Sequence, residues 1–202
     1  MRFICAPNCQ ICSYPFEVEI PHLPPFCGKC LSNKPYFDKA VAIYQYNEII
    51  SNTVSTLKYN DQTFLAKKFA QVLIRNFKDE IDNCDIICAV PLHEKRLKFR
   101  HFNQANLIAK HLSKKKFIPD LIWRTKNTIS QVKLKREERE RNLKKAFIVN
   151  KKYRDFVNDK SIVLVDDVVT TGATINNCAK TLKKFGAKKV VVITLAKTVF
   201  DY

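Results

Sequence analysis

The sequence predicts an α/β fold, a mostly parallel sheet flanked by helices behind a small cysteine-rich N-terminal module, and three observations predict it. Ile162-Val163-Leu164-Val165 is an apolar, β-branched run leading into a helical stretch that ends near Gly186, and Val190 to Leu195 supplies the next strand, so the three form a βαβ unit. Asp85 to Val90 is a second short apolar run that stops at Pro91, as a buried parallel strand feeding a loop does. Ahead of both, Cys9-x2-Cys12 and Cys27-x2-Cys30 sit in a Pro-rich stretch with too little apolar periodicity to hold itself together by burial.

In chain order, residues 40–46 read as a strand, and Ile49, Ile50, Thr53, Val54 and Leu57 then recur at helical spacing. Phe64, Leu65, Phe69, Val72, Leu73 and Phe77 mark one face of a second helix. After the strand at 85–90, a helix is expected from Asn103, as N-cap, to about Lys114. Leu121 to Arg124 and Ala146 to Val149 are weaker strand candidates, and the charged segment between them is expected to be mobile. The strand at 162–165 ends in two aspartates. Glycine occurs at only three positions, 28, 172 and 186, so each is expected where a side chain would not fit, with Gly186 as the residue just past a helix end. That scarcity excludes a GxGxxG fingerprint and a Walker A loop.

At 202 residues the chain accommodates one α/β core plus a small appended module. The expected boundary gives 1–36 to the cysteine module and 37–202 to the α/β domain. No run of about 18 uncharged apolar residues occurs, so a cytoplasmic protein without a transmembrane segment is expected, at most peripheral to the inner membrane. Eight cysteines in a chain that is 46% hydrophobic do not fit a secreted disulfide scaffold, which substitutes for a core. Two Cys-x2-Cys pairs separated by fourteen residues have the spacing of a closed four-thiolate zinc site, with Cys9, Cys12, Cys27 and Cys30 as ligands. Four protein ligands leave no position open, so such a zinc is structural. Cys84, Cys88 and Cys178 lie in apolar contexts and read as buried, inert thiols.

The net charge is +17, and its placement is more informative than its total. Between His93 and Lys160 there are 21 Lys and Arg against 7 Asp and Glu, so this third of the chain holds +14 of the excess. A segmental excess is the electrostatic footprint of a phosphate or nucleic-acid surface, although a solvated basic face has the same composition.

The most informative stretch is Asp166-Asp167-Val168-Val169-Thr170-Thr171-Gly172-Ala173-Thr174. A buried strand delivers two carboxylates to its carboxyl end, where ligands of open α/β sheets bind. A hydroxyl-rich turn with one glycine then opens a helix, whose N–H groups and positive dipole end suit a phosphate. Carboxylates accept hydrogen bonds from a ribose diol, so one loop can grip both ends of a ribose 5-phosphate. A lone Asp-Asp would be read as a polar strand end, but the whole run resembles the phosphoribosyl pyrophosphate (PRPP) motif of type I phosphoribosyltransferases. That resemblance implies a type I phosphoribosyltransferase fold and Mg2+ with PRPP as ligand. It places Asp166 and Asp167 on the ribose hydroxyls, with Val168 beside them and Thr170, Thr171, Gly172, Ala173 and Thr174 around the 5-phosphate.

Four further stretches narrow the resemblance. Leu57-Lys58-Tyr59 ahead of a helix, Val90-Pro91-Leu92-His93 with Arg96 and Arg100, Phe102-Asn103-Gln104-Ala105, and Gln131-x2-Leu134 with Arg136, Arg139, Asn142, Ala146 and Phe147 look like the ComF family of competence proteins over almost the whole chain. That family is associated with natural transformation, in which single-stranded DNA enters the cytoplasm, and so implies single-stranded DNA and other DNA-uptake proteins as partners. Lys58, Pro91, Leu92, Arg96 and Arg100 become candidates for pyrophosphate or phosphate, with Arg96, Lys98 and Arg100 following a strand-ending loop that could receive pyrophosphate and guanidinium groups suited to bidentate contacts. Arg136, Arg139 and Arg141 become nucleic-acid candidates, although three glutamates interleave with them as in a salt-laced helix. Two departures are visible: His101 stands where the family has glycine, and the Gln131 stretch lacks its usual small residues.

Three functions share this site: PRPP-dependent transfer to a nucleobase with release of pyrophosphate, recognition of single-stranded DNA during uptake, and PRPP sensing without catalysis. The basic excess favours the second. No residue presents itself as a catalytic base, and no stretch identifies a nucleobase pocket.

Overall fold

The structure, a computed structural model, describes residues 2–18, 22, 25–59, 64–125 and 146–199. The +14 segment is therefore described only in part. Arg136, Arg139, Arg141 and Gln131 lie outside the described residues, as does the expected mobile segment, and the side chain of Lys58 is not described either.

A four-stranded, wholly parallel sheet in the order β1-β6-β5-β2 forms the centre, from β1 (Lys39–Gln45), β2 (Ile86–Ala89), β5 (Ser161–Val169) and β6 (Lys189–Lys197). Its strands are apolar almost throughout because both faces are covered. Ile162, Leu164, Val190 and Val192 face one core, whereas Val163, Val165, Val191, Ile193 and Leu195 face the other. The second core is closed by α2 (Glu48–Tyr59), α3 (Phe64–Asn76), the short α4 (Lys78–Asp82) and α6 (Gln104–Leu112). The first is closed by α7 (Ala173–Lys184) and by a separate antiparallel pair, β3 (Ile122–Arg124) with β4 (Phe147–Val149). Ile11 and Cys12 of the N-terminal module pack against that same core.

The helix expected from Asn103 is capped as anticipated. The Asn103 carboxamide oxygen accepts from the Ala105 N–H at 3.0 Å, and the helix ends at Leu112. The βαβ unit is present, with β5 and β6 as neighbours and α7 between them in sequence.

Two expectations are corrected. First, β5 does not end at the aspartates but runs on to Val169, because Asp166, Val168 and Val169 remain paired with Thr194, Ala196 and Lys197 of the equally long β6. Arg96 and Arg100, which follow the loop that ends β2, lie in a helix, α5 (Glu94–Arg100), with His93 accepting from the Lys95 N–H as its cap. Second, only two glycines need their special backbone. Gly172 and Gly186 have φ of +80° and +84°, but Gly28 does not have a positive φ, and a Cβ there would meet nothing within 4 Å. At Gly186 a Cβ would collide with the Asn158 side chain as well. His101, which ends α5, is itself left-handed with φ 61°, the conformation glycine adopts most cheaply.

Candidate functional site

All four parallel strands point their carboxyl ends to one edge of the sheet, and the candidate ligand site lies there. A small concavity is lined by Asp166, Val168, Val169, Thr170, Thr171, Gly172, Ala173, Thr174 and Ile175. The sequence-predicted phosphate loop and the first of the two carboxylates are thus brought together by one strand-to-helix turn.

Its geometry follows from local chemistry. The Asp166 carboxylate accepts from the Asp167 N–H at 2.9 Å, and the Asp167 carboxylate accepts from the Val168 N–H at 2.7 Å. Each side chain is tied to the backbone beside it, so both stay oriented although only half-buried. The left-handed Gly172 turns the chain into α7 as its N-cap and brings no side-chain oxygen to the helix end. The helix therefore begins with backbone N–H groups and the positive end of its dipole rather than a capping side chain, an arrangement that can take an anion. Thr171 lends partial support, its hydroxyl accepting from the Ala173 N–H at 3.4 Å.

Pro91 and Leu92 reach the same edge, since the Val90 N–H donates to the Val165 carbonyl at 2.9 Å. They lead from the end of β2 to His93 and α5, which carries Arg96 and Arg100. Arg124, at the end of β3, joins them. Burial, and then the charge of Arg96, push its guanidinium pKa down, while Cys178 and the Asp166 carboxylate pull it back up. Arg96, Arg124 and Asp166 thus share one electrostatic neighbourhood built from three distant segments. Two guanidinium charges against one carboxylate in that neighbourhood leave a positive excess that can suit a polyanion. The sequence offers no signal for Arg124, because it ends a three-residue strand outside every motif.

Cys84, Cys88 and Cys178 are buried, and burial pushes all three thiols upward, which keeps them protonated and inert.

The second candidate site is the cysteine cluster. The sulfur atoms of Cys9, Cys12, Cys27 and Cys30 all lie within 4.8 Å of one another. Cys12 Sγ and Cys27 Sγ are 3.7 Å apart. Tetrahedral zinc with Zn–S bonds of about 2.3 Å requires sulfurs about 3.8 Å apart, so the donor set fits that ion. A hydrogen bond with Cys12 and then burial push the Cys9 thiol up to about 12, and burial pushes Cys30 up to about 12. The Cys12 thiol moves down, chiefly through the hydrogen bond from Cys9 and, against its burial, through the Lys197 ammonium. Several thiolates cannot share so small a volume without a cation to balance them. Cys5 is exposed and stands outside the cluster.

Comparison with known proteins agrees with this geometry. The family described as "Phosphoribosyl transferase domain" matches residues 105–199. Competence protein F of Haemophilus influenzae is 33% identical over 200 residues, spanning 93% of this chain and 87% of that protein. DNA utilization protein YhgH of Escherichia coli is 31% identical over 198 residues, spanning 94% of this chain and 84% of the relative. Competence protein ComFC of Bacillus subtilis is 28% identical over 159 residues, spanning 78% and 63% respectively.

Proposed function

The chain belongs to the ComF family of competence proteins, with a type I phosphoribosyltransferase fold behind a four-cysteine module, and from that premise we propose that it binds PRPP and acts on single-stranded DNA during uptake. The observation that carries the PRPP reading is the concavity running from Asp166 to Ile175, in which the end of a strand bearing carboxylates turns through Gly172 into a helix N-terminus. In this reading Asp166 and Asp167 accept from the ribose diol, and Thr170 to Thr174 surround the 5-phosphate. Arg96 and Arg124 meet the pyrophosphate, with Arg100, Pro91 and Leu92 bordering it. Mg2+ accompanies PRPP and neutralises pyrophosphate charge. The four thiolates hold a structural zinc, and residues 1–36 and 37–202 are the two domains.

The single-stranded DNA reading is supported by the +14 segment and by the names of the relatives, competence and DNA utilization proteins. It places the protein on the cytoplasmic side, where it meets incoming strands and other uptake proteins.

Pyrophosphate release from PRPP tests the reading, with purine and pyrimidine bases, nucleotides and single-stranded DNA as acceptors. We expect PRPP binding without rapid turnover on a free base. Fast release with a purine or pyrimidine would replace this reading with nucleobase salvage. Asp166→Asn with Asp167→Asn should weaken PRPP at least tenfold in calorimetry and leave the fold intact, since a lost charge-assisted hydrogen bond is worth about 1.5–3 kcal/mol. An unchanged affinity would remove the ribose assignment.

A further inference from the structure

We propose that Lys29 is a positioning residue for the phosphate loop, through which metal on the cysteine cluster and a phosphoribosyl ligand on the loop strengthen each other's binding. The inference rests on the PRPP reading of residues 170–174 and concerns a part of the chain that no PRPP motif includes.

The cysteine module touches the site directly. Lys29 stands between Cys27 and Cys30 in α1 (Gly28–Ser32), and its ammonium donates to the Thr171 carbonyl at 2.9 Å, in the phosphate loop 142 residues away. A few residues on, the Tyr36 N–H donates to Asn176 Oδ1 at 2.6 Å, in the first turn of α7. The Tyr36 ring also carries the Lys180 ammonium 4.6 Å from its centre. The module therefore contacts both the loop and the helix that the loop opens.

The two knuckles of the module are held differently. The Cys9–Cys12 knuckle is fastened to the sheet: the Ala40 N–H donates to the Ile11 carbonyl at 2.7 Å, Ser13 donates to the Ala40 carbonyl at 2.9 Å, and Lys197 donates to the Cys12 carbonyl. Lys197 lies opposite Val169, the residue just before the loop. The Cys27–Cys30 knuckle has much less of its own. Of the five residues in α1 only Cys30 is buried, and Leu31 is 60% exposed. A five-residue helix is too short to be stable alone.

The second knuckle is joined to the first by one backbone hydrogen bond, from the Gln10 N–H to the Pro25 carbonyl at 2.9 Å, and otherwise by the tetrahedron of sulfurs, two from each. A metal that closes this tetrahedron sets where Lys29 stands, and Lys29 holds the Thr171 peptide. The Thr171 carbonyl must stay turned away from an incoming phosphate for the loop's N–H groups to face it, and an ammonium bound to that carbonyl favours this orientation. The same ammonium adds a positive charge at the rim of the loop. A coupling of this kind is reciprocal, so a phosphoribosyl ligand that favours the engaged loop also slows loss of the metal.

The test uses the full-length, zinc-loaded protein with PRPP as the probe. Lys29→Met should keep its zinc and lose PRPP affinity by about fivefold or more, while Lys29→Arg, which retains a cationic donor, should recover most of it. In a second measurement that needs no variant, PRPP should slow zinc transfer from the wild type to a chromogenic chelator several-fold, and this protection should vanish in Lys29→Met. Wild-type affinity in Lys29→Met would overturn the coupling, as would a rate of zinc transfer indifferent to PRPP in a protein that binds PRPP. A wild type that binds no PRPP at all would instead overturn the reading of the loop, and this inference with it.

Discussion

Asn103 ties the end of the central sheet to the start of a helix: its Nδ2 donates to the Val90 carbonyl at 2.9 Å while its Oδ1 caps α6 at the Ala105 N–H. Only 8% of Asn103 is exposed, so water cannot replace either bond. Asn103→Ala should cost about 2–3 kcal/mol in urea denaturation, combining a lost cap with an unsatisfied buried carbonyl. Asn103→Asp keeps the capping oxygen but sets a carboxylate against the Val90 carbonyl, and should cost at least as much. A loss below about 0.5 kcal/mol for the alanine variant would show that the bridge is dispensable.

His101 holds a left-handed backbone with φ 61°. A side chain there carries strain that glycine does not, typically about 1 kcal/mol. His101→Gly should therefore raise stability by up to about 1 kcal/mol, less whatever chain entropy the unfolded state gains. Thermal melts in which the variant unfolds earlier than the wild type would mean that the imidazole makes a compensating contact.

Cys178, a residue of α7, is fully buried in the core between that helix and the sheet, and burial holds its thiol well above the ordinary value of 9.0. Above that pH the unfolded chain loses the proton and the folded chain keeps it. The unfolded state then binds fewer protons, and stability falls as pH rises. The contribution is whole below pH 9.0 and declines above it, by up to about 1.4 kcal/mol per pH unit for each such thiol. Cys178→Ala should flatten the alkaline limb of a stability profile between pH 9 and 10.5, and superimposable slopes would refute the assignment.

Elemental analysis should find about one zinc per chain, and Cys27→Ser with Cys30→Ser should abolish it and loosen the N-terminal module. Because Cys9 and Cys30 are held protonated up to about 12 by the Cys12 hydrogen bond and by burial, the metal must displace protons to bind. Zinc affinity should accordingly rise with pH and fall on acidification. Metal retained by the double variant would exclude these ligands.

If the basic segment tracks a DNA backbone, affinity for single strands should fall steeply with salt and depend little on sequence. Arg136→Gln, Arg139→Gln and Arg141→Gln together should flatten the log–log salt slope by about two units, at about 0.7 per phosphate contact. The chain has one tryptophan, Trp123, half-exposed on β3 beside Ile148, so its fluorescence reports on the described part of that surface without interference. Quenching by oligothymidylate that tracks binding would place DNA on the β3–β4 pair. No binding at low salt would end the DNA reading and leave a solvated basic face.

Much of this molecule was legible in the chain because the relevant interactions are local. The run Ile162 to Val165, the cap at Asn103, the left-handed glycine of the phosphate loop and the paired cysteines each depend on residues a few positions apart, and local spacing records them. The tertiary structure alone decided what depends on distant partners. The reach of β5 to Val169 comes from pairing with β6, and α5 forms at the sheet edge although its seven residues carry no clear apolar period. Arg124 comes within electrostatic reach of Arg96 and Asp166 only because β3, paired with β4, packs on the core that α7 closes. Lys29 meets Thr171 across 142 residues because the cysteine module docks on α7 and the sheet. A sequence records side-chain chemistry and its period, whereas contacts of this range are selected by packing the whole core at once, and no window along the chain contains both partners.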